Sequence, residues 1–549
     1  PARPRPATPH PQMKVLILGG TGVFGERLAR LLARDGHDLT IAARSPEPAH
    51  ALAAELGATA IRIDRNGDRS ALQGHDVIVD AAGPFHAYGA DPYRLARAAL
   101  AAGAHYLDLA DNAAFCAGIT TLQTEASAAN RAAISGLSSV PAVSSAAVRA
   151  LTGADQPLHI DSAILPGNRS PRGLSVMASI LGQAGSLYPL YRAGEWITAT
   201  GWSAPSSYSL PGGITRQGWR IEVPDTRLFP AHFGAQTVDF RAGLELGIMR
   251  YGLAAFATLR RLIPFPVTLP LVRGFRFVAD LLAPFGTGIG GMSVTVTTAS
   301  HRHHWSLLAE SGEGPLVPAI AIRALLRRPT LPTGATPALE IVTLDELQTA
   351  MSDLAIRFER RSEALDPIFP RILGPAFGSL PETVRATHQT AGITRWQGRA
   401  SVTRGTGLWS RFLATLFRFP PASEDTPVEV TKAVTAKGEI WTRRFGPRSF
   451  RSHLAATPNG MTERFGPFTF LLGLTVAEGA LHYPVRSGRL GPLPLPGWLL
   501  PRSEAREYAE DGRFHFDVRL FAPLTGGLMV HYRGHLIPAN PDDPSPPQV

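Results

Sequence analysis

At 549 residues the chain exceeds what one hydrophobic core usually serves, and about three domains are expected. Its net charge of +10 is spread along the sequence instead of gathered in blocks, which argues against a nucleic-acid partner. The single cysteine, Cys116, excludes an internal disulfide framework and any multi-cysteine metal site, and fits a reducing, cytoplasmic setting.

The proline-rich opening, residues 1–12, lacks an apolar h-region and reads as a disordered leader, so the fold is expected to begin at Met13. "KVLILG" (14–19) is a short buried strand, and the leucines and alanines of "VFGERLARLLARDG" recur at helical spacing until Gly36. "DLTIAA" (38–43) is the next strand, followed by a helix over "PAHALAAELG". Strands at 59–64, 75–83 and 104–110 come next, with a helix at 91–103 and a long alanine-rich helix running to about Ala133. Alternating strands and helices predict a parallel sheet covered on both faces. Such a sheet takes its ligands beyond the carboxyl ends of its strands.

Directly after the first strand, Gly20-Thr21-Gly22-Val23-Phe24-Gly25 reads G-x-G-x-x-G and opens a helix, the context that makes this motif a dinucleotide site. Gly20 would permit the tight turn, Gly22 the approach of a pyrophosphate, and Gly25 the packing of helix on strand. The phosphates would meet the unpaired amides and dipole of a helix N-terminus. An NAD site usually carries a carboxylate about 20 residues further on for the ribose 2′-hydroxyl. Arg44-Ser45 stands at that place, so a 2′-phosphate, and hence NADP (NADPH), is favoured. Asp64 is expected on the adenine side, and Ala81-Ala82-Gly83-Pro84 beside the nicotinamide half.

"LILGGTGVFGERLARLL", "TIAARS", "VDAAGPFHAYG", "AHYLDLAD" and "GLSSVPAVSS" follow, in order and spacing, the pattern of saccharopine-dehydrogenase-like NADP-binding oxidoreductases, which residues 13 to 360 resemble. Gly19, Gly22 and Gly25 would also match the G-x-x-G-x-x-G loop of short-chain dehydrogenases. The resemblance implies a Rossmann dinucleotide-binding domain (13–150), then a mixed α/β domain (151–362) that shapes the substrate site and commonly mediates homodimer formation. From about Leu365 the chain resembles an uncharacterised domain fused to such oxidoreductases in bacteria, here read as a β-rich domain over 363–540. The expected class is therefore α/β with a β-rich C-terminal domain. No lysine occurs between Val15 and Thr431. The lysine paired with catalysis in amino-acid-forming saccharopine enzymes thus has no counterpart, and neither does the Tyr-x-x-x-Lys pair of short-chain dehydrogenases or the lysine of a P-loop.

Proton donors or acceptors must then come from the loops at the strand ends, where Tyr88, Asp108 and Asp111 are the candidates. Each has a plain alternative: Tyr88 as loop packing, Asp108 bonded to backbone or cofactor, Asp111 as a helix cap. Cys116, among alanines, reads as a packed thiol. His301, His303 and His304 sit where a hairpin is expected to turn, and no carboxylate accompanies them. They read as solvent-facing, and no metal site is expected.

Residues 246–286 are apolar but interrupted by Arg250, Arg260, Arg261, Arg273 and Arg276, and no run reaches the 18 or so residues of a membrane span. Two readings stand: core helices of the second domain, or a basic, apolar surface for anionic membrane or an acyl chain. The last part changes period. "GRFHFDVRLF" (512–521) alternates as a half-buried antiparallel strand, and R-F-G-P-x-x-F-x-x-x-L occurs twice, at 444–454 and 464–474, as successive strand–turn units would. More than half of the net charge lies past Ala364, which suits an acidic or amphiphilic ligand or a covering or dimerising role. The sequence thus predicts an NADP-dependent oxidoreductase acting on a small carbonyl, imine or enoyl substrate, with a lipid-like, amphiphilic compound as one option. It is cytoplasmic or peripheral at the inner membrane. A non-catalytic NADP(H) sensor and a membrane-surface lipid-binding protein are the alternatives.

Overall fold

The computed structural model describes residues 11–64, 67, 70–435 and 437–545; the expected leader lies almost wholly outside them. The first unit runs β1 (Lys14–Leu18), α1 (Val23–Arg34), β2 (Asp38–Ala43), α2 (Pro46–Leu56), β3 (Thr59–Arg62), β4 (Val77–Asp80), α3 (Arg94–Ala101), β5 (His105–Asp108), α4 (Ala113–Gly118), α5 (Gln123–Ala128), β6 (Ala132–Ser135) and α6 (Ser144–Thr152). Val15, Leu16 and Ile17 are fully buried, as a strand with helices on both faces must be, and each contributes roughly 1.5–3 kcal/mol by leaving water.

The expected long helix to Ala133 does not form. A 3-10 turn at Ile119–Leu122 breaks it, Asn130 takes a left-handed conformation, and Ala132–Ser135 is a fully buried strand. Parallel pairing on both sides overrides the helical preference of alanine there.

The second unit comprises β7 (His159–Leu165), α7 (Leu174–Gln183), β8 (Leu187–Arg192), β9 (Glu195–Thr200), β10 (Ser206–Leu210), β11 (Ile214–Arg220), α8 (Pro224–Phe233), β12 (Thr237–Gly243), α9 (Gly247–Leu262), α10 (Leu269–Leu281), β13 (Gly290–Thr297) and β14 (His301–Ala309). Then come α11 (Ile320–Leu326), β15 (Gly334–Pro337), α12 (Leu344–Ala350) and β16 (Ile356–Ala364). A mixed seven-stranded sheet is ordered β10-β11-β12-β7-β13-β14-β16. The boundary expected at residue 150 needs correction, because β15 leaves this unit and pairs in parallel with β6. The first sheet is therefore β15-β6-β5-β4-β1-β2-β3, parallel throughout. A buried ion cluster fastens the returning segment: Arg323 and Arg327 both grip Asp35, at the end of α1, at 2.8 Å, and Arg323 also binds Asp353 at 2.6 Å.

The three histidines are not at a turn. They belong to β14, the hairpin turning at 298–300, and His304 is buried with its ring nitrogen 3.0 Å from the Thr295 hydroxyl on the paired strand. The stretch 246–286 is core on one face only. α9 buries Leu253 and Ala257 and α10 buries Val272 and Ala279, while Ile248, Leu262, Phe277 and Phe285 stand in solvent. Among the described residues no helix is long and apolar enough to cross a membrane.

The third unit opens with α13 (Ile368–Leu373) and α14 (Glu382–His388), followed by β17 (Ile393–Arg404), α15 (Leu408–Leu416), β18 (Ser423–Thr435), β19 (Gly438–Phe445), β20 (Arg448–Thr457), β21 (Gly460–Phe465) and β22 (Phe468–Leu472). It continues through β23 (Thr475–Ala477), β24 (Ala480–His482), β25 (Val485–Leu490), β26 (Leu493–Pro494), β27 (Arg502–Glu510), β28 (Arg513–Phe521) and β29 (Leu528–Pro538). All thirteen strands join one antiparallel sheet. Both R-F-G-P repeats are the tight turns joining β19 to β20 and β21 to β22, and Phe450, Leu454 and Phe470 point into the core. Arg395 bonds Glu195 at 2.5 Å, and Tyr191 donates to the Asp542 carbonyl at 2.8 Å, so both ends of this unit are tied to the β8–β9 hairpin.

Candidate functional site

The glycine loop is bare for two different reasons. Gly19 has φ +70°, and a Cβ there would lie 2.6 Å from the Ala82 backbone; a Cβ on buried Gly25 would lie 2.2 Å from the Gly19 carbonyl oxygen. Gly19 and Gly25 are glycines because the loop, α1 and the end of β4 touch backbone to backbone, whereas a Cβ on Gly20 would meet the Ile41 side chain at 2.9 Å. Gly22 is different. It is exposed, its φ of −76° suits any residue, and a Cβ would meet only the Gly19 oxygen, at 3.1 Å. Protein packing thus asks little of this position, which leaves approach by an outside group as the reason for a bare backbone.

Gly22 is also the N-cap of α1 and offers no side chain to cap it, so the first-turn amides beginning at Val23 and Phe24 have no side-chain acceptor. An uncapped twelve-residue helix behind an exposed glycine has the unpaired amides and dipole that favour a phosphate. Thr21 is half-buried in the same turn, and Gly173, ahead of α7, comes close to Val23, so the second unit reaches over this loop.

Arg44 and Ser45 follow β2 and are both exposed. Arg44 makes no hydrogen bond or ion pair among the described residues, and Ser45 precedes α2 without capping it. A guanidinium and a hydroxyl without partners, adjacent at a strand end, form a suitable cradle for a phosphate monoester. Asp64 is exposed two residues beyond β3, its carbonyl accepting from Gly67. Ala81, Ala82, Gly83 and Pro84 leave β4 half-buried. The Ala81 amide is held by the Leu18 carbonyl at 2.9 Å and the Ala82 amide by the Asp80 carboxylate at 3.0 Å.

Asp80 was not singled out in the sequence, yet it organises this corner. Fully buried, it accepts from Ala82, from the Tyr88 hydroxyl at 3.2 Å and from the Tyr106 hydroxyl at 3.4 Å. Tyr88 also packs against the rings of Phe85 and Phe115, at 5.1 and 5.6 Å between centroids. Its hydroxyl is therefore aimed while its ring is clamped.

Asp108 is also fully buried. Its Oδ1 accepts from the amides of Gly136 and Ala110 at 2.7 and 3.0 Å and from the Ser135 hydroxyl at 2.9 Å. Desolvation raises its carboxyl to about 7 despite those donors. Sealed inside, Asp108 ties the ends of β5 and β6 together, the backbone-bonded alternative expected of it. Asp111 is accessible to solvent yet surrounded by protein on its other sides, as on a cleft floor. That crowding raises its carboxyl pKa, with His86 opposing. The helix cap belongs to its neighbour Asn112, which accepts from the Phe115 amide at 2.9 Å, so Asp111 is free of that duty. Cys116 is wholly buried, 3.6 Å from the Ala110 carbonyl, and burial raises its thiol well above its ordinary value.

Asp225, in the first turn of α8, was also missed. It is fully buried with the Ser144 and Ser162 hydroxyls beside it, and burial raises its carboxyl to about 7 despite them. Its flanks, "VPDTRLF", carry no motif that would have flagged it.

Residues 15–137 match the family model of the saccharopine dehydrogenase NADP binding domain, and residues 380–536 match a domain of unknown function (DUF4166). No curated protein matches the chain. Among solved structures, apo saccharopine dehydrogenase (L-Glu forming) from Saccharomyces cerevisiae is 14% identical, covering 64% of this chain and 100% of that one at a TM-score of 0.45. GenD2 from gentamicin A biosynthesis, solved with NAD, is 13% identical over 67% of this chain and 100% of its own, with a TM-score of 0.31. AtPrR2 with NADP+ and (+)pinoresinol is 21% identical over 23% of this chain and 50% of its own, with a TM-score of 0.19.

Proposed function

Starting from an N-terminal domain of the saccharopine dehydrogenase NADP-binding type, we propose that the chain is an NADP-dependent oxidoreductase. The observation that carries this reading is the pairing of an exposed, uncapped Gly22 at the start of α1 with an exposed Arg44 at the end of β2 that has no partner among the described residues. The first would seat the pyrophosphate and the second the 2′-phosphate. When bound, the nicotinamide supplies or accepts a hydride; the protein's share is to hold a carbonyl, imine or enoyl carbon beside it and to keep water away. Tyr88, held by Asp80, and Asp111, crowded but open, are the groups assigned to proton transfer. The absence of lysine from Val15 to Thr431 argues against saccharopine itself as substrate.

Measured affinity is expected to favour NADPH over NADH by at least about tenfold, ~1.4 kcal/mol, and Arg44→Ala to erase most of that preference. Equal affinity for the two in the parent protein would overturn the NADP assignment. Steady NADPH oxidation with a pool of carbonyl and enoyl compounds distinguishes an enzyme from a non-catalytic NADP(H) sensor, which would bind without turnover.

A second reading concerns where the protein works, and the surface of α9 and α10 favours it. Ile248, Tyr251, Leu262, Phe277, Leu281 and Phe285 are all more than half exposed. Arg250, Arg260 and Arg276 are engaged with carbonyls or Asp280, but Arg261 and Arg273 are exposed and have no partner among the described residues. An apolar face edged with free cations suits the headgroup region of an anionic bilayer. The protein is expected to co-sediment with vesicles containing anionic lipid, and Phe277→Glu with Leu281→Glu to release it. Sedimentation unchanged by the double substitution would exclude this face.

A further inference from the structure

A deep apolar cavity lies far along the chain from the dinucleotide loop, inside the C-terminal sheet. It measures about 410 Å³ and is lined by the inward faces of β18 to β22 and β27 to β29, with α15 along its mouth. Most of the wall is aromatic or aliphatic, Phe445, Phe450, Phe470, Phe514 and Phe516 among it. At the mouth, Trp409, Phe412, Leu416 and Leu490 are substantially exposed, so a molecule entering crosses an apolar rim.

The buried end is polar. Lys432 is 1% exposed; it donates to the Thr387 carbonyl at 2.6 Å, its one hydrogen bond among the described residues, and lies 3.8 Å from the centre of the Trp441 ring. Arg443 donates to the Ser452 hydroxyl at 2.8 Å and to Glu463 at 3.1 Å. Glu507 accepts from the Tyr483 hydroxyl at 2.6 Å and meets His388 at 2.5 Å. Holding such groups in an apolar interior is expensive, and a sheet needing only stability would fill the same space with hydrocarbon. An apolar cavity with a few convergent polar groups at one end has the form of a small-molecule site.

The charges select the head group. Arg443 is matched by Glu463, and Lys432 lies near Glu507, so the cations are already answered. A carboxylate head would add an unmatched negative charge, and an amine an unmatched positive one. An uncharged oxygen adds neither, and can accept from the lysine whether or not it is protonated. We propose that the C-terminal domain binds an uncharged single-chain amphiphile, of long-chain alcohol or ketone type, with its tail against the phenylalanine wall and its oxygen at Lys432.

The test uses the full chain and tryptophan fluorescence, since Trp441 stacks on the lysine and Trp409 sits at the mouth. Octanol, decanol, dodecanol and 2-dodecanone are titrated beside dodecanoate and dodecylamine. Affinity is expected to rise roughly fourfold per added methylene until the tail reaches the mouth. Dodecanol should bind at least tenfold more tightly than dodecanoate. Lys432→Met should weaken the alcohols about tenfold without changing the dependence on chain length. Should that variant fail to fold, Phe412→Glu, at an exposed position on α15, is expected to weaken every long-chain probe. Dodecanoate binding as tightly as dodecanol, no dependence on chain length, or no saturable binding of any probe would each overturn the proposal.

Discussion

Replacing Gly22 with valine is expected to abolish dinucleotide binding in a protein that still folds. The backbone at this position is already extended and accessible to solvent, and the first new atom would press only on the Gly19 oxygen, at 3.1 Å. The branched methyls would then occupy the space through which a pyrophosphate must approach the α1 amides. We expect NADPH affinity to fall by at least about a hundredfold, ~2.7 kcal/mol, with an unchanged circular dichroism spectrum and melting transition. Gly25→Ala is the matched control with the opposite failure. Its methyl would sit 2.2 Å from a carbonyl oxygen that cannot move without opening the loop, so this variant should lose stability first. Normal NADPH binding by folded Gly22→Val protein would mean that the loop is not the phosphate site.

The second large effect is expected at Asp35. Its carboxylate is shared by Arg323 and Arg327, and Arg323 is 2% exposed. Asp35→Ala would leave both guanidiniums short of an acceptor, one of them inside the protein. Removing one member of such a cluster costs about 3–5 kcal/mol, toward the lower end here because Asp353 still holds Arg323. The effect should also appear as a pH dependence. Although burial opposes it, the two arginines hold the Asp35 carboxyl down at about 2 in the folded protein, below its ordinary 3.8. As pH falls the unfolded chain takes up the proton first, so this stabilisation is complete above about pH 4 and is lost as pH falls toward 2. Scanning calorimetry of parent and variant across that range should show their transitions converging in acid. A constant gap between them would assign the stabilisation to something other than the carboxylate.

The parallel sheet and the glycine loop were legible because both are written locally, in a buried apolar strand followed by glycines at fixed spacing. Arg44 was legible for the same reason: it stands at the end of the second strand, where a carboxylate would otherwise be. What escaped the sequence depends on partners distant in the chain. Ala132–Ser135 reads as helix until β5 and β15 flank it, and Asp80 looks like any strand-ending aspartate until Tyr88 and Tyr106 close on it. Asp108 looked catalytic because its position beside the cofactor region could be inferred, whereas the three donors that bury it could not. The C-terminal cavity was hidden altogether. An alternating strand shows which side chains share a face, but not that the opposite walls of one curled sheet will enclose space between them.

The return of Gly334–Pro337 to the first sheet has a consequence for the order in which this protein can be made. During synthesis from the N-terminus, β6 emerges with one edge unpaired and stays so until β15, late in the second unit, has left the ribosome. A messenger cut short after α6 would therefore yield a nucleotide-binding half with a bare hydrogen-bonding edge and no Arg323 for Asp35. The chain passes between the two sheets three times, before β7, before β15 and before β16, so neither unit can be excised as one continuous segment.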